Sequence, residues 1–215
     1  MSGVWSIYEY QPSFVLGFHG CDKTVGEAIL CGEEPHLKFS EKDYDWLGSG
    51  IYFWEGNPTR AMNWAIQREK EQKVKTPFVL GAIIDLRRCL DLFDHGGLSE
   101  VKDAYDGLKG VFDRAGVALP VNVGKTPDKA GRALDCAVMN YLHKYRQERC
   151  EPDYDSIRGP FLEGGELYAG AGFSADNHIQ LCVRNTDCIK GYFRPILRYA
   201  DNSNPARSCT GAKIG

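Results

Sequence analysis

The chain has 215 residues, 43% of them hydrophobic and 26% charged, with a net charge of −3. That length can bury the core of one large domain or two small ones, and the acidic balance excludes a broad nucleic-acid-binding field while leaving room for a local basic patch. No apolar run reaches the roughly 20 residues of a membrane helix, and the opening MSGVWSIYEY has no charged or apolar region of a secretory leader. A cytoplasmic protein with no membrane partner is expected.

PSFVLGFHG reads as a strand ending at His19–Gly20. Thr24 and Glu27 form a capping-box pattern before a short helix that Gly32 stops. Residues 33 to 49 read as loop, and GIYFW as the next strand. Asn57–Pro58 opens a helix, TRAMNWAIQREKEQKVK, whose Ala61, Trp64 and Ala65 face inward. PFVLGAIIDL is a buried strand. SEVKDAYDGLKGVFDRAG is amphipathic, with Val101, Tyr105, Leu108 and Phe112 at helical spacing and Gly116 at its end. A further helix is expected from Thr126–Pro127, with Ala130, Leu134, Val138, Tyr141, Leu142 and Tyr145 on one stripe. ELYAGAGF, HIQLCVR and CIKGYFRPILRY read as strands, and the polar tail 201–215 as loose. With no repeat or linker, one α+β domain over 1–200 is the economical reading, with a helical insert at about 95–150.

Several motifs fail. VGKTPDK ends like a phosphate-binding loop, but the position of its leading glycine is Leu119. No dinucleotide-binding glycine fingerprint and no serine nucleophile elbow is present. Cys21 lies two residues after His19, with no third group to orient a thiol nucleophile. None of the eight cysteines has C-x-x-C or zinc spacing, and most sit in apolar runs. Reduced, buried thiols and no metal are expected.

Three residues carry chemistry that packing does not demand. His19 ends a strand and precedes Gly20. Tyr52 lies on a strand entered through Gly48 and Gly50. Gln180 interrupts an apolar strand. Each also has an ordinary reading, as a core histidine, a core aromatic and an outward strand residue. Tyr52 and Trp54 alternate with Ile51 and Phe53, so both faces of that strand are bulky and one has room for a flat ligand.

In this order, GFHG, GSGIYF and a late strand with one polar residue resemble the ADP-ribosyltransferase superfamily. The likeness is to its His-Tyr-Glu class, which includes poly(ADP-ribose) polymerases and diphtheria-like toxins. It covers residues 14–65 and, less fully, 175–197; residues 85–165 have no counterpart. The resemblance implies a split β-sheet core with flanking helices and NAD as substrate. It implies that the Gly20 backbone holds the carboxamide, that His19 bonds a ribose hydroxyl and that nicotinamide stacks on Tyr52, with Gly50 leaving space nearby.

The family's catalytic glutamate aligns with Gln180, which has no charge, so poly(ADP-ribose) elongation is not expected. The acidic candidates are Glu163 and Glu166 in LEGGELYAGAG, where family loops contact the acceptor. Glu55 is a weaker candidate, because alternation puts it opposite Tyr52. Gln180, His19, Tyr52 and Glu166 are thus the catalytic candidates, and His19, Gly20, Gly50 and Tyr52 the NAD-binding ones. The implied activity is mono-ADP-ribosylation of a protein or nucleic acid, in a toxin or defence effector with an antitoxin or immunity partner. An NAD glycohydrolase and a non-catalytic NAD or ADP-ribose binding module are the alternatives.

Overall fold

The computed structural model describes residues 14–124 and 131–196. It is a mixed α/β structure with a seven-stranded sheet and four helices. In chain order these are β1 (Phe14–Asp22), α1 (Lys23–Leu30), β2 (Ile51–Glu55), α2 (Pro58–Lys70), β3 (Pro77–Asp85), β4 (Cys89–Asp91), α3 (His95–Ala115), β5 (Asn122–Val123), β6 (Gly131–Arg132), α4 (Ala133–Glu148), β7 (Ser156–Phe161), β8 (His178–Val183) and β9 (Ile189–Phe193). The sheet order is β4-β7-β8-β2-β1-β3-β9, antiparallel except between β4 and β7; β5 and β6 form a separate ribbon.

Strand alternation sends side chains to two packed faces. On one, Ile51, Phe53, Leu80, Ile84, Leu181 and Val183 form the main core with Ile29 of α1. On the other, Phe18, Trp54 and Val79 pack against Ala61 of α2. Farther along that second face, Ile157, Phe161 and Cys182 meet α3 and α4 through Leu108, Val138 and Leu142. The buried stripe of α4 is therefore Cys136, Val138, Met139, Leu142 and His143, while Tyr145 is exposed.

Several boundaries differ from the sequence reading. β1 runs on to Asp22, and Asp22 rather than Thr24 caps α1, accepting from the Thr24 amide at 2.9 Å. The other Asp22 oxygen accepts from the Lys75 and Thr76 amides, which ties the start of β3 to the same carboxylate. Glu27 instead pairs with Arg194. α2 stops at Lys70, two residues before Gln72 turns to φ 59°, and α3 starts earlier, at His95, on an Asp94 cap. ELYAGAGF is not a strand: Gly164 and Gly170 have positive φ, and the segment closes on itself through the Leu167–Phe173 and Ala175–Gly165 backbone bonds. Strand β7 escaped notice because SIRGPF contains Gly159 and Pro160. The proline is tolerated because β4 pairs only as far as Arg158. Thr126, Pro127, Ala130, Cys209 and the 201–215 tail lie outside the described residues.

Among the described residues, no helix is long and apolar enough to cross a membrane. Five of the seven described cysteines are buried, and Cys31 and Cys150 are exposed. Leu181 is fully buried at the centre of the main core. Leu181→Ala should therefore lower unfolding free energy by about 2–5 kcal/mol, read from denaturant unfolding curves.

Candidate functional site

The geometry of the site begins where β1 and β2 part. They share only two registered pairs, Gly17–Glu55 and Phe18–Trp54. Continued, the ladder would pair His19 with Phe53 and Gly20 with Tyr52. Instead the strands diverge, and each completes its bonding on its other side: β1 along nine pairs with β3, β2 along four with β8. The opening is one end of a cleft of about 880 Å³ lined by His19, Gly20, Tyr52, Trp54 and Gln180, with α1, α2 and the 34–46 loop as its walls.

His19 and Tyr52 lie on opposite strand faces, so the split rather than a shared face unites them. The His19 Nδ1–H donates to the Tyr52 carbonyl at 2.7 Å, in place of the missing ladder bond. That bond leaves Nε2 as an acceptor. Burial holds the imidazole pKa below its ordinary 6.5, against the opposing pull of this bond, so the ring is neutral at pH 7.

The Tyr52 ring is pinned by its hydroxyl, which accepts from the Leu47 amide at 3.0 Å and donates to the Gly48 carbonyl at 2.8 Å. Gly48 turns at φ 79°, a conformation that suits glycine. Burial pushes the phenol well above its usual range, so Tyr52 lines the cleft as a neutral phenol.

Gln180 and Trp54 are cross-strand partners on the Tyr52 face, and Gln180 accepts from the Trp46 indole Nε1–H at 2.6 Å. Beside them, Arg60 of α2 forms an ion pair with Glu163, and both line the cleft. Arg68 lies over the Trp64 ring, 4.6 Å from its centroid. Lys38, Lys42 and Lys73 add cationic lining, and Glu34, Glu41 and Asp45 add acidic lining. Trp54 Nε1, Arg60 Nε and His178 Nε2 are buried polar atoms without a hydrogen-bond partner among the described residues. Sequence reasoning missed Trp46, Arg60 and Trp64; a tryptophan just before the glycine turn LGSG was the available signal for Trp46.

Two predicted site residues do not reach the cleft. Gly50 is buried against β8, where an added Cβ would meet Cys182 Sγ at 2.5 Å; close packing of strands, not space for a ligand, requires this glycine. Glu166 is exposed and accepts from the Gly170 amide at 2.9 Å, held there by the self-closed loop; it does not line the cleft. Glu55 lies on the face opposite Tyr52 and is bound by Arg158 at 2.6 Å, with Asp91 on the same guanidinium at 3.3 Å. Gly20 does line the cleft, but a Cβ there would stand 2.1 Å from the Ala61 carbonyl, so α2 packing also demands it.

No protein-family model, curated protein or solved structure matches this chain.

Two predictions come from this geometry. Gly20→Ala should destabilise the fold by about 1–3 kcal/mol by forcing α2 off β1, measured by denaturant unfolding. The second concerns acid. Burial also holds His143 and His178 below 6.5. A histidine with a depressed folded pKa binds more protons when unfolded, so its contribution is fully present above 6.5 and is lost as pH falls below that value. The melting temperature should thus drop between pH 7 and pH 5, and His19→Gln should flatten part of that slope.

Proposed function

We propose that the chain is an ADP-ribosyltransferase-type enzyme that binds NAD in the split between β1 and β2 and transfers ADP-ribose to a macromolecule. The observation that carries this reading is the gathering of His19, Gly20, Tyr52 and Gln180 on one cleft. These residues come from three strands and are separated by up to 161 positions in the sequence.

In this reading the nicotinamide stacks on the pinned Tyr52 ring, and its carboxamide pairs with the Gly20 backbone. The neutral His19 Nε2 accepts from a ribose hydroxyl. Arg60, Arg68 and the lysines of the 38–42 segment face the diphosphate. The glycosidic C–N bond then breaks, and its electron pair neutralises the departing pyridinium nitrogen. The ribose carbon gains oxocarbenium character before the acceptor's nucleophile bonds to it. No acid is needed for a neutral leaving group. What the transition state requires is a group aimed at the charged ribose, and Gln180 takes that place. Glu163, paired with Arg60 in the cleft lining, takes the acceptor-side role in place of Glu166.

Calorimetry with NAD and a nicotinamide-release assay test the proposal. Tyr52→Ala should weaken NAD binding by about 1 kcal/mol or more. Gln180→Ala should cut release by about 10²-fold, with a smaller effect on binding. Equal NAD binding by wild type and Tyr52→Ala would sink the assignment of the site. Transfer of labelled ADP-ribose to lysate, followed by separate protease and nuclease digestion, identifies the acceptor class. Nicotinamide release without transfer marks a glycohydrolase, and binding without release marks a binding module.

A further inference from the structure

We infer that Trp46 is the positioning residue for Gln180. It fixes the amide so that the cleft meets an N–H donor, and the substrate group held there is a hydrogen-bond acceptor. This rests on the NAD reading above and refines it.

A glutamine amide is ambiguous by shape, since its oxygen and nitrogen ends are nearly identical. Its orientation is set by its partners. An indole Nε1–H can only donate, so the end that faces Trp46 at 2.6 Å is the oxygen. The other end, Nε2, makes no hydrogen bond among the described residues, and Gln180 lines the cleft. What a ligand meets is thus an NH₂ group with its acceptor oxygen already engaged.

Trp46 is itself held firmly. Its ring meets Phe161 edge-on at 5.3 Å between centroids, and the Arg132 guanidinium lies 5.0 Å from the Trp46 ring centroid. A Cβ on Gly159 would stand 2.7 Å from the ring, so β7 passes directly beneath it. The donor therefore comes from a side chain packed on three sides, and the Gln180 amide inherits that rigidity. A ribose hydroxyl that accepts from Gln180 Nε2 must send its own proton elsewhere. A carboxylate at position 180 would reverse this polarity: one oxygen would keep the Trp46 bond, and the other would accept from the same hydroxyl.

The test uses the full chain. In ¹⁵N-labelled protein, Gln180→Leu should shift the Trp46 indole proton upfield and speed its exchange with solvent at least tenfold. An indole signal unchanged by that substitution overturns the pairing. In steady-state nicotinamide release, Trp46→Phe keeps the ring but removes the donor. It should lower kcat about tenfold, change KM less than threefold and leave the melting temperature within a few degrees. A Trp46→Phe variant with wild-type kcat, or one in which kcat and KM change in parallel with a collapse in melting temperature, overturns the positioning role. Wild-type protein that neither binds NAD nor releases nicotinamide overturns the functional reading instead, and the indole comparison then decides the Trp46–Gln180 pairing alone.

Discussion

The short ladder between β1 and β2 is the constraint on which the cleft depends. Two strands that pair over two residues and then diverge leave backbone donors and acceptors that need other partners. Here β3 and β8 satisfy the outer edges, and the His19 imidazole reaches the Tyr52 carbonyl across the gap. The sheet can open at its centre without leaving that carbonyl orphaned. If β1 and β2 paired along their whole length, His19 and Tyr52 would be ordinary strand residues on opposite faces.

The walls of the opening are rigid for reasons unrelated to any ligand. Tyr52 is fixed by two bonds to the 47–48 turn, Gly20 by the close approach of α2, and Gln180 by Trp46. Each glycine of the GFHG and GSGIYF stretches meets a structural demand of its own: Gly17 against Ile84, Gly20 against Ala61, Gly50 against Cys182, Gly48 at a left-handed turn. A site held in this way loses little conformational freedom when a ligand enters, which favours affinity and orientation together.

The cleft lining carries both signs of charge, side by side. Arg60 and Arg68 line the cleft from α2, and the 34–46 loop contributes Lys38 and Lys42 together with Glu34, Glu41 and Asp45. The Arg60–Glu163 ion pair joins α2 to the segment that follows β7. It is half-buried, so desolvation offsets part of its Coulomb gain.

The local elements with short-range signals are legible in one dimension. The Asn57–Pro58 start of α2, the Gly116 stop of α3 and the strands around Phe53, Leu80 and Leu181 follow from caps, left-handed glycines and apolar runs within a few residues. The sequence also singled out His19, Tyr52 and Gln180, because a polar or aromatic group out of step with its strand is visible in one dimension. What those groups touch depends on how the strands and helices assemble. Gly50 and Glu166 read as site residues, yet strand packing buries the first and a self-closed loop turns the second outward. Trp46 read as loop, yet its indole holds Gln180 from 134 residues away in the chain. Strand β7, hidden by Gly159 and Pro160, supplies the floor beneath that indole. Contacts of this kind depend on which strands become neighbours and where their ladder ends. Those are set by the free energy of the whole core, and periodicity along the chain does not encode them.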